Sequence, residues 1–168
     1  MNTTIDLRTT PPLLDFEASS LSDCSYPISA GLCISGRIKY WIIKPNPDWI
    51  DWSLASQAIH CIKRSYIEAH GIESDIVFRE LNNALHKFGK VYSDAPYWER
   101  RWLSQLGTLE IDVRDVRELI SPHIHDLWEI TYNAQVWLHD LTPHKADHDA
   151  LAMAYTVHDL RIRGLKSD

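Results

Sequence analysis

Two acidic residues, Asp15 and Glu17, end an apolar run and stand two positions apart. Side chains alternate across a β-strand, so both carboxylates point to one face while Phe16 points to the other. Two carboxylates held side by side repel each other, and a fold tolerates such a pair most readily when a divalent cation lies between them. The spacing therefore predicts a cation site at the end of a strand.

A histidine and an aspartate, His144 and Asp149, stand five positions apart near the other end of the chain. If Asp147 caps the last helix, Asp149 lies in its first turn and His144 lies on the preceding loop. A loop histidine can move toward a substrate while a helical aspartate stays fixed. The pair is predicted to complete the cation site and to supply its general base.

A third acidic segment lies between these two. A short strand over Lys90–Ser93 delivers Asp94 at its carboxyl end, and a helix that begins near Pro96 carries Glu99 in its first or second turn. Both residues also suit a purely structural role, because aspartate caps helices and glutamate is favourable at their positive end. The residues alone leave open which of the two carboxylates takes part in chemistry.

The elements that must position these residues follow strand and helix patterns in turn. An antiparallel meander of three strands is predicted over Leu13–Ala18, Tyr26–Ser35 and Ile38–Lys44, with a further strand over Leu109–Val113. Helices are predicted over Ser53–Ala69 (as one helix or as two short ones), Ser74–Phe88, Pro96–Leu106, His123–His139 and Asp147–Arg163. This order predicts an α/β domain with helices packed on a mixed sheet.

The composition limits the classes of protein that fit. The chain has 168 residues, of which 45% are hydrophobic, and a net charge of −6. We expect a single domain over residues 1–168, with residues 1–10 as a loose leader. The negative charge argues against a protein that coats duplex DNA, which would be basic. It does not argue against an enzyme that acts on nucleic acid, because bound cations offset an acidic site locally.

The cysteines and the apolar runs bear on the cellular environment. Cys24, Cys33 and Cys61 are an odd number without zinc-ligand spacing, so we expect reduced thiols in a cytoplasmic protein. We expect no membrane span and no signal peptide, because no apolar run is long enough and the first residues are polar. The oligomeric state is not readable, and a homodimer is one of the options.

The three acidic segments, in this order, resemble the DEDDh class of 3′–5′ exonucleases, the group of the proofreading and RNase-T-like enzymes. The resemblance spans roughly Leu13 to Leu160. Residues 26–31 are similar to the family's second strand, and residues 59–62 are similar to its His-Gly-Ile segment. The chain departs from the family at Glu99, where the family has aspartate after phenylalanine, and at Cys61, where it has glycine.

The resemblance implies an RNase-H-like fold and hydrolysis of phosphodiester bonds from a 3′ end, with DNA and RNA both open as substrates. It implies two Mg²⁺ or Mn²⁺ ions, held by Asp15, Glu17, Asp149 and either Glu99 or Asp94, and His144 as the general base. The helix position favours Glu99 over Asp94. Contacts to the terminal nucleotide are implied at Ala18, Ser19, His60 and Ile62.

A second hypothesis belongs to a different class of protein. A non-catalytic module would have kept this fold, lost proper metal geometry through the change at Glu99, and come to bind nucleic acid or a protein partner. The enzyme is favoured because four of the five functional groups match the family and the fifth is a conservative change.

Overall fold

A mixed sheet forms the centre of the molecule. The computed structural model describes residues 5–164. Its strands are β1 (Leu13–Ala18), β2 (Pro27–Ile34), β3 (Arg37–Lys44), β4 (Ile72–Glu73), β5 (Lys90–Ser93) and β6 (Asp112–Asp115). They pair in the order β4-β3-β2-β1-β5-β6. β2 runs antiparallel to both β1 and β3, and the other pairs are parallel.

Helices connect the strands and cover the sheet. They are α1 (Leu54–His60), α2 (Arg64–His70), α3 (Ser74–Leu85), α4 (Pro96–Leu106), α5 (Trp128–Leu138) and α6 (Ala146–Gly164). Two 3-10 segments, Val116–Leu119 and Pro122–Leu127, lead from β6 to α5. Between residues 5 and 164, no helix has both the length and the apolar character that crossing a membrane requires.

The two faces of the sheet bury different parts of the core, because alternate residues of β1 point in opposite directions. Leu14 and Phe16 belong to the larger core cluster, together with residues of α3 and α4. Leu13 points the other way and belongs to a second cluster with residues of α6. Asp15 and Glu17 share the face of Leu13, so they lie on the side of the sheet that α6 covers.

The α/β class, the antiparallel meander and the helix over Pro96–Leu106 are confirmed. Of the two options for Ser53–Ala69, the structure has two short helices. α1 ends because Cys61 adopts a left-handed conformation with φ 59° and donates its backbone N–H to the carbonyl of Gln57. The two-residue strand β4 was not predicted, because it is too short for an alternating pattern to be recognised.

Three predicted boundaries were wrong. The strand predicted over Leu109–Val113 lies at Asp112–Asp115, where pairing with Lys90–Ser93 sets its register, and the preceding apolar residues pack on the core from a loop. The helix predicted from His123 becomes α-helical only at Trp128, after a 3-10 segment that begins with Pro122. α3 ends at Leu85, short of Phe88.

The predicted loose leader is only partly within the described residues, since residues 1–4 lie outside them. Leu7 and Thr10 are buried. Leu7 packs in the second core cluster beside Leu13 and Cys33. The segment is therefore attached to the core from Leu7 onward, because its apolar side chain covers the edge of that cluster.

Candidate active site

β1 presents the first two carboxylates. Asp15 pairs with Gly31 and Glu17 with Ser29 across the β1–β2 ladder. Both side chains are half-buried, whereas Phe16 between them is buried in the larger core. The alternation predicted from the sequence is thus what sets the two carboxylates on one face.

α6 brings the third carboxylate onto β1, and a glycine makes its close approach possible. A Cβ atom on Gly31 would lie 2.1 Å from the backbone carbonyl of Ala146, at the start of α6. Asp149, one turn later, is buried. Its Oδ1 accepts a hydrogen bond of 2.6 Å from the hydroxyl of Tyr132, and its carboxylate also accepts from the backbone N–H of His144. These bonds hold the carboxylate in place.

Glu99 on α4 is the most deeply buried acidic residue of the site, with 1% of its surface exposed. It accepts hydrogen bonds from the Ser93 side chain and from the backbone of Phe16. Its Oε2 atom has no hydrogen-bond partner among the described residues. Asp94 is exposed and lies at the rim of the same cleft. Glu99 therefore extends from α4 into the buried side of the cleft, next to Asp15, while Asp94 borders the opening.

His144 lies on the loop before α6, with φ 59° in the left-handed region. An imidazole nitrogen of His144 and carboxylate oxygens of Glu17 and Asp149 all lie within 4.8 Å of one another. His148 is engaged elsewhere, since its Nδ1 accepts a hydrogen bond of 2.7 Å from the backbone N–H of Thr142. Of the two histidines, His144 is the one that faces the carboxylates.

Burial gives this site an unusual electrostatic character. Burial and the charges of neighbouring carboxylates, that of Glu99 first, raise the pKa of Asp15 well above its usual range. Burial raises the pKa of Glu17 and that of Glu99 to about 8, and it raises the pKa of Asp149 against the opposing hydrogen bond from Tyr132. These groups ionise together only when a positive charge compensates them.

The donor set fits a hard divalent cation. Carboxylate oxygens are the ligands that Mg²⁺ and Mn²⁺ prefer, and an unpartnered oxygen such as Glu99 Oε2 is available for one. A single cation would satisfy that atom and neutralise part of the repulsion. Asp15, Glu17, Glu99, Asp94 and Asp149 are the candidate ligands.

The cleft has two adjoining chambers. The acidic chamber, about 410 Å³, is lined by all five carboxylates and by Trp98, Tyr132 and His144. The side chamber, about 220 Å³, runs toward α1 and is lined by Ala18, Ile59 and His60 among others. Leu21 and His144 line both chambers. A substrate that enters the acidic chamber can therefore place an adjacent group in the side chamber.

The four residues predicted to contact a nucleotide are separated by the structure. Ala18 and His60 line the side chamber. Ser19 is buried, and its backbone N–H and carbonyl are bonded to Tyr26 and Ser53. Ile62 packs in a third core cluster. Ser19 and Ile62 thus do not line either chamber, because both are used to hold the loops around it.

The neutral form of His60 is favoured inside the protein. Burial and the nearby imidazole of His144 lower the pKa of His60 to about 4. Its Nδ1 accepts a hydrogen bond of 3.0 Å from the backbone N–H of Ile62. His60 therefore presents an uncharged ring to the side chamber.

Leu21 and Tyr132 were missed by the sequence reasoning. Leu21 is 68% exposed although it is apolar, and it lines both chambers. A single leucine in a loop carries no pattern that would have singled it out. Tyr132 lies in a segment that was predicted only as a helix, and its contact with Asp149 depends on how α5 packs on α6.

The comparison with known structures concerns the whole arrangement. Exonuclease I from Methylocaldum szegediense superposes with a TM-score of 0.69 at 11% sequence identity, over 92% of this chain and 41% of that chain. Pop2p from S. pombe superposes with a TM-score of 0.68 at 13% sequence identity, over 94% of this chain and 84% of Pop2p. E. coli exonuclease I in complex with a dA16 oligonucleotide superposes with a TM-score of 0.62 at 12% sequence identity, over 94% of this chain and 43% of that chain.

The chain has the fold of the DEDDh-type 3′–5′ exonucleases. This exonuclease fold confirms the RNase-H-like architecture expected from the order of the acidic segments. No family model matches the chain, and no curated protein matches it in sequence. The chain spans less than half the length of the exonuclease I structures and most of the length of Pop2p.

Proposed function

We propose that the chain is a metal-dependent 3′–5′ exonuclease that hydrolyses phosphodiester bonds of DNA or RNA. One observation carries this proposal. Carboxylates from β1, α4 and α6 converge with His144 on one cleft of an exonuclease fold, and burial raises the pKa of most of them. A structural acidic cluster has no need of an imidazole nitrogen within 4.8 Å of two carboxylates.

Asp15, Glu17 and Asp149 would hold two divalent cations, together with Glu99 or Asp94. Mg²⁺ or Mn²⁺ bound there would make a water molecule more acidic and stabilise the negative charge of the leaving oxygen. The structure of S. pombe Pop2p that shares this fold is a Mg²⁺- and Mn²⁺-bound form, which supports a cation of this type.

The side chains of the chain itself have separate tasks in this proposal. His144 accepts the proton of the attacking water at an imidazole nitrogen. Tyr132 keeps the Asp149 carboxylate in one orientation through its 2.6 Å hydrogen bond. Trp98, which stacks on Trp102 with ring centroids 5.4 Å apart, offers a flat apolar face in the acidic chamber on which a base can stack.

The proposed substrate is a single strand with a 3′ end. The E. coli exonuclease I structure with the same fold holds a dA16 oligonucleotide, which supports a strand of nucleic acid as the occupant of this cleft. Since the chain spans less than half of that protein, only hydrolysis at the 3′ end is proposed for it.

The test uses single-stranded DNA and RNA oligonucleotides that carry a fluorescent label at the 5′ end, with Mn²⁺, Mg²⁺ or EDTA. We expect a ladder of products that shortens from the 3′ end with Mn²⁺ and no product with EDTA. Asp15→Asn is the matched control, because it removes one candidate ligand and keeps the side-chain shape. It is expected to lose cleavage by on the order of 10²-fold or more.

Two results would contradict the proposal. Cleavage inside a circular single strand would show an endonuclease instead. Tight binding of the oligonucleotide without cleavage in any divalent cation would favour the non-catalytic module.

A further inference from the structure

Three serine hydroxyl groups in the loop after β1 donate hydrogen bonds to one carboxylate. Ser19 and Ser20 donate to Oδ2 of Asp51 at 2.8 and 2.6 Å, and Ser22 donates to its Oδ1 at 2.9 Å. Asp51 lies 29 to 32 positions further along the chain than these serines, between β3 and α1. Although burial opposes it, these hydrogen bonds hold the pKa of Asp51 below its usual range. The carboxylate therefore stays ionised at neutral pH and continues to accept hydrogen bonds from the three serine hydroxyls.

Each of the three serines also accepts a hydrogen bond from a backbone N–H group of the loop. Ser19 Oγ accepts from the backbone N–H of Tyr26 at 3.1 Å, Ser20 Oγ from that of Ser22 at 3.0 Å, and Ser22 Oγ from that of Cys24 at 3.1 Å. A hydroxyl has one proton, and its donation to Asp51 fixes which lone pairs face the backbone. Asp51 thus sets the path of the loop, because each of the three serines that donate to it also accepts a hydrogen bond from the loop backbone.

The loop is held from its other side by α4. Trp102 donates through Nε1 to Ser25 Oγ at 3.0 Å, and Gln105 donates through Nε2 to the carbonyl of Ser25 at 2.8 Å. Arg101 donates to the carbonyl of Asp23. Between these supports lies Leu21, exposed and lining both chambers of the cleft. An apolar side chain in water is held over the acidic site by a loop that has little freedom to move.

We propose that Asp51, acting through Ser19, Ser20 and Ser22, is a positioning residue that fixes Leu21 as a wall of the substrate cleft. The inference rests on the proposed exonuclease function and assigns to it a residue that touches neither the substrate nor the metal ligands. Leu21 lines both the acidic chamber and the side chamber, so its placement affects how a nucleic-acid strand passes from one to the other. Without the Asp51 carboxylate the loop is free to move, and Leu21 no longer forms a fixed wall for the nucleic-acid strand. The carboxylates of the acidic chamber stay in place.

The experiment compares two substrates in Asp51→Ala. A 5′-labelled single-stranded oligonucleotide must pass Leu21, whereas bis(p-nitrophenyl) phosphate is small enough to react within the acidic chamber. We expect the KM for the oligonucleotide to rise on the order of 10-fold with kcat little changed, and hydrolysis of the small diester to be retained. The KM of Asp51→Asn for the oligonucleotide is expected to lie between those of the wild type and Asp51→Ala, because its remaining oxygen can still accept hydrogen bonds from Ser19 and Ser20.

Two controls separate positioning from general loss of structure. Asp75→Ala removes an exposed aspartate on α3 that pairs with Arg79, away from the cleft, and is expected to leave both substrates unaffected. The second control is a double-mutant cycle. The variant with both Ser20→Ala and Ser22→Ala should have a raised KM for the oligonucleotide. Asp51→Ala should raise this KM less in that variant than it does in the wild-type protein.

Each outcome decides the question. Equal losses on both substrates, or an unchanged oligonucleotide KM in Asp51→Ala, would overturn the positioning role. If the wild-type protein cleaves neither substrate, the proposed function fails, and the positioning role of Asp51 is judged by measurements that do not need activity. Hydrogen exchange at the amides of Ser22, Cys24 and Tyr26 should then be faster in Asp51→Ala, and the Kd for the oligonucleotide, read by fluorescence anisotropy, should rise. An unchanged Kd would overturn the inference even with faster exchange.

Discussion

His144, the proposed general base, has a backbone conformation that few residue types favour. Its φ of 59° suits asparagine and glycine, so His144→Asn removes the imidazole without adding backbone strain. We expect kcat for oligonucleotide cleavage to fall on the order of 10²-fold, because no other group replaces the base. The measurement is single-turnover cleavage with saturating Mn²⁺.

His148→Asn is the matched control for this prediction. An asparagine oxygen can replace Nδ1 as the acceptor for the backbone N–H of Thr142, so the loop should keep its shape. We expect His148→Asn to stay active. An inactive His148→Asn beside an active His144→Asn would reassign the base.

The choice between Glu99 and Asp94 is also decided at the scale of single residues. Glu99 is buried beside Asp15 with one oxygen unpartnered, whereas Asp94 is exposed at the rim. We expect Glu99→Gln to abolish Mn²⁺-dependent cleavage and to weaken Mn²⁺ binding in calorimetry, because it removes a charge at nearly constant shape. Asp94→Asn should retain most of both. The reverse pattern would make Asp94 the ligand.

The spacing of residues predicted the acidic site more completely than its walls. Asp15, Glu17, Asp149 and His144 were predicted to lie together, and they line one cleft, because strand alternation and a helix start constrain where such side chains point. Ser19 and Ile62 were assigned to the substrate, yet the fold uses them inside the protein. Their roles depend on which loops meet across 30 or more residues, as between Ser19 and Asp51, and no local pattern carries that information.

At the scale of elements, α6 reaches β1 only because β2 has a glycine beneath it. A methyl group on Gly31 would lie 2.1 Å from the carbonyl carbon of Ala146 and 2.3 Å from the backbone nitrogen of Asp147. Backbone atoms cannot move aside as a side chain can, so Gly31→Ala must displace the start of α6 and carry Asp149 with it. We expect a loss of about 1–3 kcal/mol in the free energy of unfolding, read by urea denaturation.

Cleavage by Gly31→Ala should fall by on the order of 10²-fold under conditions where the variant is folded, because Asp149 is misplaced. Gly164→Ala is the control, since it lies at the other end of α6 and its Cβ would meet Ile124 at an ordinary 3.5 Å. A Gly31→Ala protein with wild-type activity would show that α6 is not held by this contact.

Element types followed from the sequence better than element boundaries did. Leu109 and Ile111 have the composition of a strand, but they pack on the core from a loop, and the strand begins where Asp112 pairs with Lys90. Cys61 gave no sign of ending a helix, since the left-handed conformation it adopts is usually that of glycine. In both places tertiary pairing outweighs local preference.

At the scale of the whole molecule, the order of the acidic segments along the chain was more informative than any one of them. Strand β1 lies in the interior of the sheet, between an antiparallel and a parallel neighbour, and helices cover both of its faces. This arrangement brings the first strand, the middle helix and the last helix to one cleft. The sequence identity to the superposed structures is only 11–13%, so overall sequence similarity carries little of this likeness in fold.

The buried carboxylates make the stability of the metal-free protein depend on pH. The folded pKa of Glu17 and of Glu99 is about 8, against an ordinary value of 4.5 in an unfolded chain. Between these values the folded protein retains protons that the unfolded chain has released, so its free energy of unfolding decreases as pH rises. His60 has the opposite effect on the free energy of unfolding, because its pKa is about 4 in the folded protein and 6.5 in an unfolded chain. This effect is complete above pH 6.5, so it does not change the trend at higher pH.

We therefore expect the Tm in EDTA to fall by several degrees from about pH 6.5 to about pH 8.5, read by differential scanning calorimetry. Glu99→Gln should flatten this dependence and raise the Tm at the upper end, because it removes one buried group that must ionise. Mn²⁺ should raise the Tm most at high pH, where the carboxylates that bind it are ionised. A Tm in EDTA that rises with pH over this range would mean that the carboxylates are already ionised when the protein is folded, and that burial does not raise their pKa.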